Sequence, residues 1–185
     1  MQVTCAQKTT IASLEIVGQD KIKTSYLKKI ITTKQGEVLD SVKLNQDITF
    51  LKRLPAVSHA YFTVTRLPNF KSHVKIGIEE NFTLLPSLNF WTTTNKQFAY
   101  KLGLYEYNFL GNNTTFGGFY QNNGFHSYGF TYRAPNLFSK KWGLAISFKD
   151  WKSEEPLYFG EKTANYLYNN TSVELLGLYQ LNLKH

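Results

Sequence analysis

The residues able to do chemistry are few, and their spacing suits none of the usual reactions. The four histidines, His59, His73, His126 and His185, stand far apart. None belongs to a His-Glu-x-x-His run that would set two imidazoles on one helical face around zinc. Glu79–Glu80 and Glu154–Glu155 are adjacent pairs. Neighbours in an extended chain point to opposite faces, so neither pair can divide acid and base work. Gly117–Gly118 in "TTFGGFY" has no helix after it to receive a phosphate. Cys5 is the single cysteine, which excludes an internal disulfide and a zinc cluster. No nucleophile–base pair can be named. These features predict a protein that is not an enzyme and uses no cofactor or metal.

The composition turns attention to surfaces. Aromatic residues make up 16% of the chain and charged residues 18%, where about 25% charge is usual in soluble domains. Flat rings and few charges favour pleated structure. The net charge is +8, with 12 basic and 7 acidic groups up to residue 85 and 9 and 6 beyond it. The cations are dispersed, with Lys28–Lys29 and Lys140–Lys141 as the adjacent lysines, so no basic block marks a nucleic-acid site. No apolar run approaches the roughly 18 residues of a membrane helix. Residues 1–7, with Thr4-Cys5-Ala6, read as the remnant of a secretory signal or as a disordered start.

Residues 8–85 read as one α+β unit. "TIASLEIVG" is a half-buried strand with Ala12, Leu14 and Ile16 on its apolar side. Thr24 is the expected N-cap of a helix with Leu27, Ile30 and Ile31 on one face. Leu44, Ile48, Leu51 and Leu54 form the stripe of a second helix, stopped by Pro55. Two strands follow, with Ala60, Phe62 and Val64 and then Val74, Ile76 and Ile78 facing inward. The order is β-α-α-β-β, and the helices should cover one sheet face. The other face, with Glu15, His59, Tyr61, His73 and Lys75, should stay wet.

Residues 86–185 read as strand after strand, about six to eight antiparallel in all. Phe98, Tyr100, Leu102 and Leu104 alternate with Gln97, Ala99, Lys101 and Gly103. Tyr128, Phe130 and Tyr132 alternate with Ser127, Gly129, Thr131 and Arg133. Trp142, Leu144, Ile146 and Phe148 alternate with Gly143, Ala145, Ser147 and Lys149. Turns are expected at "GNN", "QNNG", "APNLFSKK" and "SEEP". Such alternation fits a soluble sandwich with its apolar faces inward, and equally a membrane sheet with them outward. Aromatics near strand ends (Tyr105, Tyr107, Phe109, Trp142, Trp151) suggest interface girdles and favour the membrane.

"LEIVGQDKIKTSYLKKII", "GEVLD", "DITFLKRLPAVSHAYFTV" and "VKIGIEEN" together resemble a POTRA domain, the periplasmic repeat of BamA- and TamA-type outer-membrane proteins. Gln19 departs from the Asn usual there. "LLPSLNFW", "KLGLYEYNFLGNN", "SYGFTYRAPNLFSKKWGLAISF" and "EEPLYF" resemble the opening barrel strands of the same superfamily, up to about residue 160. The family's Val-Arg-Gly-aromatic motif is not found here.

The resemblance implies a periplasmic POTRA domain followed by an antiparallel transmembrane sheet, a partial or small β-barrel in the outer membrane. Pro86 would mark the change of solvent. Lipid would meet Phe98, Tyr100, Leu102, Leu104, Tyr128, Phe130, Tyr132, Trp142, Leu144, Ile146 and Phe148. The strand 57–65 would be a sheet edge, with Ser58, Ala60, Tyr61, Phe62 and Val64 as candidates to receive an unfolded polypeptide client by strand addition. The partners implied are outer-membrane lipid and other proteins of an outer-membrane complex, or a second copy completing the barrel, but no nucleic acid. So few strands call for an unusual edge, because an open one in lipid costs several kcal/mol per unpaired group. The chain is then a piece of a longer protein or a short relative. The alternative is a soluble, basic, aromatic β-protein that stacks nucleic acid or glycan on its rings.

Overall fold

The structure, a computed structural model, describes residues 8–93, 96–160 and 162–181. The expected signal remnant at 1–7, with Cys5, and the terminal His185 lie outside these residues. Two compact units emerge, one built mainly on residues up to Phe82, with Leu110–Asn113, and the other on Thr83–Phe109 and Thr114–Tyr179.

The first unit contains β1 (Thr10–Val17), α1 (Thr24–Ile30), α2 (Ser41–Leu51), β2 (Val57–Leu67) and β3 (Lys71–Glu80). Its sheet has the order β1-β3-β2, with β1 parallel and β2 antiparallel to the central β3. The helical stripes supply the core. Leu27, Ile30, Leu44 and Leu51 are fully buried with Val74 and Ile76 of β3. Each such side chain contributes about 1.5–3 kcal/mol by leaving water.

Two local expectations need correction. The β1–β3 register shifts between Ile11 and Ser13, and this irregularity puts Ile11, not Ala12, in the core. Lys23, not Thr24, is the N-cap of α1, and it makes no side-chain cap bond. The Thr24 hydroxyl instead accepts from Gln19 Nε2 at 3.1 Å. In α2 the cap is orthodox, since Asp40 accepts from the N–H groups of Val42 and Lys43.

Two carboxylates organise the loops of this unit. Asp47 is buried and accepts four hydrogen bonds of 2.7–2.9 Å, from the N–H and hydroxyl groups of Thr32 and Thr33. Glu80, at the end of β3, accepts from the N–H groups of Asp20, Lys21 and Ile22 at 2.8–3.1 Å. Gly18 precedes that turn at φ +86°, where a Cβ would lie 2.2 Å from the Ile78 carbonyl oxygen, so only glycine lets the chain pass. Glu80→Gln keeps one acceptor oxygen and loses the charge that strengthens these bonds. It should destabilise the 20–22 turn by about 1 kcal/mol. Faster amide hydrogen exchange at Lys21 and Ile22, with unchanged exchange in α2, is the expected result.

The second unit is a six-stranded antiparallel meander with the order β4 (Leu84–Thr92), β5 (Phe98–Glu106), β6 (Thr115–Asn122), β7 (His126–Ala134), β8 (Trp142–Phe159) and β9 (Lys162–Tyr179). The sheet is open, with β4 and β9 as its edges. Strands β4 to β7 are 8–9 residues long, close to the 9–11 of a tilted spanning strand. Pro86 lies inside β4, opposite Leu104, rather than at its start. An edge strand tolerates a residue with no N–H to donate. The turn expected at "SEEP" does not form. β8 runs straight through it for 18 residues and turns only at Gly160. β7 pairs with β8 no further than Asp150, so Pro156 sits in a two-stranded ribbon with a free side.

Candidate functional site

The register of the second sheet sorts its side chains into two faces. On one, Leu88, Leu102, Tyr120 and Tyr128 lie in a row across β4 to β7. A second row joins Leu104, Gly118, Phe130, Phe148 and Val173 across β5 to β9. A third joins Phe116, Tyr132, Ile146 and Leu175. All eleven residues expected to meet lipid fall on this face, with Phe98 opposite Thr92, Tyr100 opposite Phe90 and Leu144 opposite Ala134. Leu84, Leu88, Phe90, Phe116, Tyr120, Val173, Leu175 and Tyr179 extend it. Sequence reading did not single these out, although their period-two spacing carries the same signal.

This face is bare. Phe98 is 67% exposed, Trp142 54% and Val173 73%. Among the described residues the only buried hydrophobics of the unit are Ala99, Ala134 and Ala145. A soluble sandwich would have hidden its largest side chains first. Here the sheet hides alanines and displays rings.

The band also ends in register. Beyond Phe148–Val173 the next pairs on that face are Asp150–Thr171, Lys152–Asn169, Glu154–Leu167 and Pro156–Asn165, in which Leu167 is the one large aliphatic side chain. At the same level the opposite face turns aromatic, with Trp151, Tyr168 and Tyr166. Tyr105 and Trp151 therefore do not belong to a girdle around the apolar face, because both lie on the opposite side. Trp142 and Tyr179 do border the band, with ring centroids 4.5 Å apart.

The opposite face carries Lys101, Gly117, Phe119, Gly129, Thr131, Arg133, Ser147, Lys149 and Glu174. Its rings lie over glycines. A Cβ at Gly117 would meet the Tyr105 ring at 2.6 Å, and one at Gly129 would meet Phe119 at 2.7 Å. The missing side chains make room for the rings.

In the first unit, β2 is an edge of the three-stranded sheet. Of its five candidate residues, Ala60 is in the core, and Phe62 and Val64 pack against it. The Ser58 hydroxyl donates to the Glu79 carbonyl at 3.0 Å. Tyr61 is exposed, lies over Gly77 and stacks with His59. What the edge offers a partner is therefore its backbone and one aromatic side chain. His73, expected to be solvated, is held between the Ser13 hydroxyl (2.5 Å from Nδ1) and the Glu15 carboxylate (3.5 Å from Nε2). Parallel pairing of β1 with β3 brings together residues 60 positions apart, which spacing in the sequence could not reveal. This polar row lies on the sheet face opposite the helices.

Among the described residues no cluster of three or more metal-binding side chains is present, and no helix is long and apolar enough to cross a membrane. The latter says nothing of strands.

A β-α-α-β-β module followed by an open antiparallel meander with one exposed apolar face defines the class of fold: an α+β domain with an all-β antiparallel sheet after it. Residues 9–81 match the POTRA family, described as a surface antigen variable number repeat, and the first unit is a POTRA domain. The fold of the chain is similar to that of BamA and CdiB. The chain is similar to BamA from Haemophilus ducreyi lacking POTRA domains 1–3, with 18% identity and TM-score 0.64 over 78% of this chain and 28% of that one. It is also similar to CdiB from Acinetobacter baumannii, with 17% identity and TM-score 0.56 over 91% and 33%. CdiB from Escherichia coli gives 12% identity and TM-score 0.56 over 92% and 40%. The chain thus spans well under half the length of each. No curated protein sequence matches it.

Proposed function

We propose that this chain is a non-enzymatic outer-membrane component of a BamA-type machinery for protein assembly or translocation. Its POTRA domain stands in the periplasm and guides polypeptide along the β2 edge. Its strands β4 to β9 sit in the outer membrane with the apolar face toward lipid. The observation that carries this reading is the exposed apolar band, continuous in register over six strands and bounded by Asp150 and Thr171. In water such a surface is an aggregation site; in hydrocarbon it is the required one. Strand addition at β2 would use main-chain hydrogen bonds with little side-chain selection, which suits clients of many sequences.

The alternative, a soluble protein stacking nucleic acid or glycan on its rings, fits less well. It leaves unexplained the wide apolar face of Leu88, Phe98, Phe130 and Val173, which is exposed and carries no lysine or arginine between its ends, whereas backbone-tracking grooves pair rings with cations.

Single-tryptophan variants reconstituted with acyl-brominated phospholipid test the placement. Trp142 fluorescence should be quenched strongly and Trp151 weakly. Equal quenching, or a chain that stays monomeric in buffer without detergent, would refute the reading.

A further inference from the structure

On the polar face of the second sheet, two lysines from different strands converge on one indole. Lys149 Nζ lies 4.5 Å from the Trp151 ring centroid and Lys101 Nζ 5.7 Å from it. The two charges are therefore no farther apart than the sum of those distances. Lys101 also stands over Phe119 at 4.0 Å. Among the described residues neither lysine has a carboxylate within ion-pair distance. Glu174, opposite Ser147 on this face, receives the Ser147 hydroxyl at 3.2 Å. Arg133 adds a third cation to the same side. Beside Lys149 a hollow of ≈ 140 Å³ opens, lined by Phe119, Gly129, Thr131, Ser172 and Glu174 among others.

Cation–π contact explains why each ammonium rests on a ring, at about 0.5–2 kcal/mol apiece. It does not explain why two like charges share one ring, since they repel most where water is partly excluded. An anion between them would reverse the sign of that interaction. We infer that Lys101, Lys149 and Trp151 form a binding site for the carboxylates of an acidic polypeptide segment lying along the polar face of the sheet. Lipid phosphate is the other anion at hand, but in the placement proposed above lipid packs against the apolar face, on the other side of the sheet. That choice of ligand rests on the membrane placement proposed above.

The test uses the full chain in detergent micelles, with Trp91→Phe and Trp142→Phe leaving Trp151 as the reporter. The probe is an N-acetylated, C-amidated hexaglutamate, with the hexaglutamine peptide as the neutral control and lipid A micelles as a second anion. Hexaglutamate should shift Trp151 emission saturably, and the affinity should fall as salt is raised. Lys101→Gln with Lys149→Gln should weaken it by at least about tenfold, the loss of roughly 1.4 kcal/mol. The corresponding Lys→Arg pair should retain it, and Lys152→Gln, on the other face, should leave it unchanged. A Trp151 signal unmoved by hexaglutamate, one equally sensitive to hexaglutamine, or one moved only by lipid A overturns the inference. Should Trp142 still be quenched by brominated lipid in that case, the membrane placement survives and the anion site alone falls.

Discussion

Phe130→Arg should all but abolish stable insertion of the second sheet, while Thr131→Arg, one residue on, should be tolerated. Phe130 lies mid-sheet on the apolar face, between Gly118 and Phe148, and is 49% exposed. Thr131 lies on the polar face, between Gly117 and Ser147. An arginine facing lipid near the midplane of a membrane barrel costs about 2–4 kcal/mol. On the polar side it joins Arg133 and meets water. Were the chain soluble, the order would reverse. Phe130 would be a surface ring whose replacement costs about 0.5 kcal/mol or less, and Thr131 would face whatever the polar side packs on. The measurement is the fraction of each variant kept in membranes after a urea wash, followed by equilibrium unfolding from bilayers of the variants that insert.

Asp47→Ala should be the most damaging change in the POTRA domain, at about 3 kcal/mol or more. The side chain is fully buried and joins α2 to the segment after α1 through Thr32 and Thr33. Burial by itself would raise its pKa, but the four bonds from Thr32 and Thr33 outweigh this and hold the carboxyl below its usual range. The sign of the pH effect follows. A depressed folded-state pKa stabilises the domain above the unfolded-state value near 3.8, and that stability is lost as pH falls through the lower folded value. The domain should therefore loosen in acid below about pH 4. Asp47→Asn should be weaker at neutral pH and lack this component of the acid transition. Amide hydrogen exchange of Leu44 to Leu51 in the full chain reads both effects. Equal acid sensitivity in the Asp47→Asn variant would show that another group governs the transition.

Much of this architecture is legible in the residues alone. The helical stripes Leu27/Ile30 and Leu44/Ile48/Leu51 predict their own burial, since a face repeating every three to four residues has one way to leave water. The strict alternation of β5, β7 and β8 likewise predicts which side chains share a face, because the pleat has a period of two. Failures cluster where long-range pairing overrides local pattern. The irregularity in β1 swaps Ile11 for Ala12. "SEEP" looks like a turn yet continues as a strand, because Asn165 stands opposite Pro156 and β9 holds it straight. Tyr105 and Trp151 count as strand-end aromatics in the sequence, but their parity puts them on the polar face.

Alternation determined that the second unit would be a sheet with one apolar and one polar side, and the Leu, Ile and Phe stripes determined that the first would bury a core. Only the tertiary structure decided that no second sheet of the same unit covers the apolar side, because a period of two is the same whether a ring faces a second sheet or hydrocarbon. Within its own unit the sheet is a single layer of six strands in register, and Phe98, Trp142 and Val173 stay exposed on it. The meeting of Lys101 with Lys149 on one indole came the same way, since register brings to one place what 48 residues along the chain keep apart.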